Sequence, residues 1–214
     1  MHNINYIQII FSFIIMINPI ILTSFFLSIT KEYTNKERYL IATTCFIASL
    51  IIIIGFIFLG DYILKLFSIN IDDLYIAGGL LFLIVGMSMV LGKGNESHFP
   101  KKDNLNIGQE REDCKTLGVV PLAVPMASGP GTIVFAIVYA RQCETLESRT
   151  LLIVIVLAVM LVAWLCMLFA TRLGKIMGKA GQAVLSRLMG LLLVAIASNM
   201  IIHGIKQAFH LLGK

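Results

Sequence analysis

The sequence predicts an all-α membrane protein, with six transmembrane helices forming two inverted three-helix repeats and helices 1 and 4 kinked or broken. Three observations predict it. Hydrophobic residues make up 58% of the 214, charged residues only 14%, and the mean hydropathy is +0.90, which is foreign to a soluble domain. The apolar residues fall in six runs, each near the ~20 residues needed to cross a ~30 Å bilayer core. Finally, sliding the chain by 111 residues lays Pro19 on Pro130, Thr34 on Thr145, Arg38 on Arg149 and Gly79 on Gly190.

In chain order, residues 4–29 carry no charge and lack the basic start and small-residue cleavage site of a signal peptide, so they read as a retained first span. A polar segment, 31–38, precedes span 2 at 40–60. Residues 61–73 read as a connector and 71–92 as span 3. Residues 93–116 mix Lys93, Lys101, Lys102, Arg111 and Lys115 with five acidic residues and little apolar material, the composition of a flexible linker. Span 4 covers 117–140, span 5 150–171 and span 6 183–205. The expected organisation is therefore a first repeat at 1–92, a cytoplasmic linker at 93–116 and a second repeat at 117–214.

Span 4 contains the strongest local signal. Three of the chain's five prolines, Pro121, Pro125 and Pro130, lie in it beside Gly129 and Gly131. Each proline removes a donor and clashes with the preceding turn, so a continuous helix is not expected. In hydrocarbon a broken helix survives only where it is buried in protein or lines a wet cavity. Under the 111-residue shift its counterpart is Asn18-Pro19 in span 1. Because three spans separate equivalent positions, the halves are expected to lie upside down to one another, an arrangement that in secondary transporters places the site near the midplane at discontinuous helices.

All 12 acidic residues fall in loops or at span edges, and no Lys or Arg sits deep in a span. No catalytic or metal-binding residue is therefore assigned, and no enzyme activity is expected. The candidate binding residues are neutral: Asn18, Pro19, Ser128, Gly129, Pro130, Gly131 and Thr132 at the breaks, with Ser88 in span 3 and Asn199 in span 6. Asn18 and Asn199 either hold a substrate or bridge helices; in-span Ser and Thr also bond their own backbone. A half-helix starting near Gly131 offers free N–H groups to a carboxylate, and carbonyls released by prolines suit an ammonium group or Na+. This pattern fits a zwitterion better than a hydrophobic drug. The absence of GxxxxGK[ST] excludes an ATP-driven pump for this chain alone, and no charge ring or filter repeat suggests a channel.

Loops after spans 1, 3 and 5 carry 12 Lys and Arg against 5 on the other side, so the first group is expected in the cytoplasm and both termini outside. The basic residues are scattered over short loops, which argues for a lipid bilayer as partner and against nucleic acid. The cysteines at 45, 114, 143 and 166 show no paired spacing, and no disulfide framework or cofactor is implied. Na+ or H+ coupling stays open.

Asn18-Pro19 followed by Phe25-Phe26-Leu27-Ser28-Ile29-Thr30, Ile76-Ala77-Gly78-Gly79, Val120-Pro121-Leu122-Ala123-Val124-Pro125 with Gly129-Pro130-Gly131, and Arg187-Leu188-Met189-Gly190-Leu191 resemble the MarC family of six-span bacterial inner-membrane proteins. The resemblance covers the chain outside the linker. It implies a transporter, with small neutral amino acids as the class of cargo to which members are assigned, many of them without an established substrate. Members usually carry glycine and proline where this chain has Ile21 and Ser24. Span 1 is therefore expected to kink and span 4 to be interrupted outright. Ile21 and Ser24 also motivate the alternative, a non-transporting scaffold or assembly protein.

Overall fold

The fold is taken from a computed structural model, which describes residues 5–92, 113–143 and 145–212. Its elements are helical throughout. α1 spans Tyr6–Ile17, with the Asn5 side chain accepting from the Gln8 N–H, and α2 spans Pro19–Ile29. Only Asn18 separates them, in the left-handed region at φ 46°. Asparagine tolerates that region, and a residue before proline is disfavoured in the α region. Pro19 then starts α2, where its missing N–H costs nothing. The break is local, and Tyr6–Ile29 remains one span.

α3 covers Asn35–Leu66 and is capped by Thr34, whose N–H donates to Glu37 at 2.7 Å. At 32 residues it overruns the expected 40–60 at both ends. Residues 61–66 are thus helix rather than connector. The cause lies in packing: Leu64 is buried, Gly60 sits against Ile137, Asp61 pairs with Arg141 at 3.2 Å, and Lys65 lies at the negative helix end. The true turn is short, with Ser68 at φ 54°, before α4 at Ile71–Val90.

Most of the expected linker, 93–112, lies outside the described residues. α5, Cys114–Leu117, leads into a wide irregular helical segment, Gly118–Ala127, where Val120 and Val124 are extended. α6 covers Pro130–Gln142, and the chain bends by 60° between Cys114–Ala127 and Pro130–Gln142. α7 covers Leu146–Leu168, capped by Thr145, and α8 covers Ala170–Leu212 with a break at Gly178. Among the described residues, five helices are long and apolar enough to cross a membrane; the bent pair makes a sixth crossing if it is one span.

α4 and α8 form the most extensive contact and run antiparallel. Gly86 meets Gly190, Gly79 meets Ala197, and Gly204 meets Ile76. Backbone atoms on one helix approach the glycine Cα atoms of the other so closely that side chains would not fit, which is how membrane helices gain packing without a hydrophobic driving force. Phe13, Phe26, Phe82 and Phe135 fill the interior, while Ile51, Phe58, Leu80 and Leu157 point outward, as a lipid-facing surface requires.

Candidate functional site

The two breaks meet. A cavity of about 360 Å³ lies between them, bordered by Asn18 from the first break and by Gly129, Pro130, Gly131 and Thr132 from the second. The first turns of α2 and α6 both reach it, through Ile21 and Leu22 and through Pro130 to Thr132. Two positive helix ends therefore face one space.

Backbone bookkeeping at the breaks explains the chemistry on offer. Pro19 has no N–H for the Ile15 carbonyl, and the Ile21 N–H donates to the Asn18 Oδ1 at 3.3 Å. Ile15, Met16 and Ile17 are the last residues of α1 and line the cavity, so the carbonyl end of that half-helix reaches it. At the second break Pro130 likewise lacks a donor, and Gly131 and Thr132 stand in the first turn of α6, whose N–H groups have no carbonyl partner within that helix. The carbonyl end of one half-helix and the N–H end of another border the same cavity.

Asn18 adds the sharpest feature. It is only 9% exposed, and its Nδ2 is buried with no hydrogen-bond partner among the described residues. An unmet buried donor costs ~1–3 kcal/mol, so the fold holds in reserve a donor that an occupant would satisfy.

Other candidate residues fall as follows. Ser128 is buried and donates to the Ala123 carbonyl at 2.9 Å, and Thr132 donates to the Ala127 carbonyl at 3.1 Å; both tie down the interrupted segment. Pro19 is buried beside the cavity as the first residue of α2. Ser88 bonds its own helix at Val85, and Asn199 is exposed on α8, so neither borders the cavity. His203 stacks on Tyr75 with ring centroids 4.7 Å apart at the far end of the bundle.

Sequence reading missed the rest of the wall: Leu81, Ile84, Val85 and Met89 of α4, and Leu193 of α8. These make the cavity mainly aliphatic, with polar groups concentrated at the breaks, and no charged side chain lines it among the described residues. It also missed the closure toward the end where α1 begins. There Phe13, Phe82, Phe135 and Tyr139 pack in a layer, with Phe82 and Phe135 centroids 4.4 Å apart, and the Ser12 and Tyr139 hydroxyls hydrogen-bond at 2.8 Å. Phe82 and Met16 crowd the Cα of Gly131, which explains glycine there. A lone serine in an apolar run gave no signal of such a long-range partner.

Apolar crossing helices, a broken span and a lipid-facing exterior define a multi-pass integral membrane protein. The profile of the MarC family, described as MarC family integral membrane protein, matches residues 4–209, and the chain belongs to that family. It is similar to the UPF0056 membrane protein YhcE of Escherichia coli, 34% identical over 91% of this chain and 88% of that protein. A UPF0056 membrane protein of Methanocaldococcus jannaschii is 33% identical over 90% and 92%, and YvbG of Bacillus subtilis 32% over 91% and 91%. No solved structure matches.

Proposed function

We propose that the chain is a secondary transporter of small neutral amino acids or similar small metabolites in the bacterial inner membrane, with the linker side cytoplasmic and both termini outside. One observation carries this reading. Two interrupted spans bring the carbonyl end of α1, the N-terminus of α6 and the Asn18 Nδ2, which has no partner among the described residues, to a single cavity lined by no charged side chain among those residues. A molecule with both a carboxylate and an ammonium group would satisfy both kinds of backbone group without leaving a net charge in the membrane. No catalytic step is assigned to the site.

The reading includes two inverted repeats, 1–92 and 117–214. In its support, the break at Asn18 and the break at Gly129, and the helix starts at Asn35 and Leu146, are each 111 residues apart. The Gly86–Gly190 and Gly79–Ala197 contacts exchange with each other under the same shift, as a twofold relation between halves requires.

The scaffold reading is favoured by one feature, the aliphatic character of most of the wall. Counterflow separates the two. Proteoliposomes preloaded with unlabelled neutral amino acids should accumulate labelled ones faster than protein-free liposomes, and equal rates would favour the scaffold.

A further inference from the structure

The aromatic layer at one end of the cavity is built unlike the equivalent positions of the other half, and that difference bears on which way the cavity opens. We infer that Phe13, Phe82, Phe135 and Tyr139, latched by the Ser12–Tyr139 hydrogen bond, form a gate between the cavity and the end of the bundle where α1 begins. The fold rests with this gate shut and with access from the linker end. This rests on the transport reading, in which the cavity must meet each side of the membrane in turn.

On α1 and α6 the cavity lies to one side of the layer. Ser12 and Phe13 precede the lining residues Ile15 to Asn18, and Phe135 and Tyr139 follow the lining residues Pro130 to Thr132. Phe135 and Tyr139 stack one helical turn apart, which makes the barrier at least ~6 Å thick. Phe13 meets these two rings at 6.3 and 6.1 Å, and all four aromatic side chains are buried.

This end of α6 is also tied across the bundle. Tyr139 bonds Ser12 of α1 at 2.8 Å, Gln142 donates to the Tyr75 hydroxyl of α4 at 2.8 Å, and Arg141 pairs with Asp61 of α3 at 3.2 Å. Of the three, the Ser12–Tyr139 bond is the buried one, and a bond shielded from water is the stronger hold.

The 111-residue shift lays Phe13 on Val124, Phe82 on Leu193, Phe135 on Ser24 and Tyr139 on Ser28, so no ring stands at any of these counterparts. Ser24 and Ser28 donate to the Ile20 and Phe25 carbonyls of their own helix, and Thr30, the counterpart of Arg141, donates to that of Phe26. A hydroxyl spent on its own backbone holds no neighbouring helix. One half therefore supplies a plug of rings with a latch, and the equivalent positions of the other supply neither.

A membrane-impermeant maleimide tests the gate on two cavity cysteines, Met16→Cys and Val85→Cys, each placed singly in the full chain with its four native cysteines replaced by alanine. Sealed vesicles of both orientations expose one face at a time, with the exposed position Glu147→Cys marking the face where α1 begins and Lys36→Cys marking the linker face. Both cavity cysteines should label at least about tenfold faster from the linker face, as a minor open state requires. Adding Tyr139→Phe should raise labelling from the α1 face roughly fivefold, the weight of one hydrogen bond, and leave the linker face little changed. Adding Ser12→Ala as well should bring the rate partway back. No change in Tyr139→Phe, or an equal rise from both faces as general loosening would give, would overturn the latch. Equal rates from the two faces before that change, or labelling from neither, would overturn the gate. Labelling needs no substrate, so sided labelling without counterflow in the same vesicles would remove the transport reading and leave the gated cavity.

Discussion

The hydroxyls of Ser12 and Tyr139 lie 2.8 Å apart across 127 positions of sequence and join the first half of span 1 to the second half of the interrupted span. Both residues are buried, and the bond sits beside the aromatic layer that closes one end of the cavity.

Losing one partner should cost more than losing both. Tyr139→Phe leaves the Ser12 hydroxyl buried and unpaired, a penalty of ~1–3 kcal/mol, whereas adding Ser12→Ala removes the orphan. Thermal unfolding in detergent should show a lowered midpoint for Tyr139→Phe that the double variant partly restores. Equal midpoints for all three proteins would show that the bond contributes nothing.

The α4–α8 seam makes a steric prediction. A Cβ on Gly86 would lie 2.9 Å from the Gly190 carbonyl oxygen, a backbone atom, while one on Gly55 would meet nothing within 4 Å. Gly86→Ala should therefore destabilise by ~1–3 kcal/mol, as overpacking does, and Gly55→Ala should be neutral or stabilising. Equal thermal midpoints for the two variants would contradict the seam.

Cys143, in the turn after α6, predicts a pH dependence. Burial pushes its thiol above the usual range, opposed by the Ser148 hydroxyl and the Arg149 charge. The folded protein thus holds the thiol proton more tightly than the unfolded chain, and this contribution is present below the ordinary thiol pKa and lost as pH rises through the raised one. Maleimide labelling of Cys143 should be slow at neutral pH and rise later with pH than that of a free thiol; labelling at the free-thiol rate would contradict the burial.

Much of this was legible in the sequence because membrane spans and proline breaks are local signals. Pro121, Pro125 and Pro130 announced the interruption, and Asn18-Pro19 the milder break, since loss of a donor depends only on the residue itself. The end of α3 was misread because Asp61 and Lys65 look like loop charges, while Gly60, Leu64 and the Arg141 partner that hold the helix together come from packing. Aliphatic wall residues such as Leu81 and Leu193 were invisible for a different reason. In a chain this rich in leucine and isoleucine, nothing local separates a residue facing a cavity from one facing lipid.

The most direct test of the cavity as the substrate site removes the Asn18 donor without disturbing its backbone. Glycine accepts φ 46° freely and costs only a few tenths of a kcal/mol as a helix cap. Counterflow of labelled neutral amino acids in proteoliposomes should fall about tenfold or more in Asn18→Gly, the loss of a hydrogen bond to a charged group, and stay at the wild-type rate in Ser28→Ala on the exposed face of α2. Wild-type counterflow in Asn18→Gly would contradict the site.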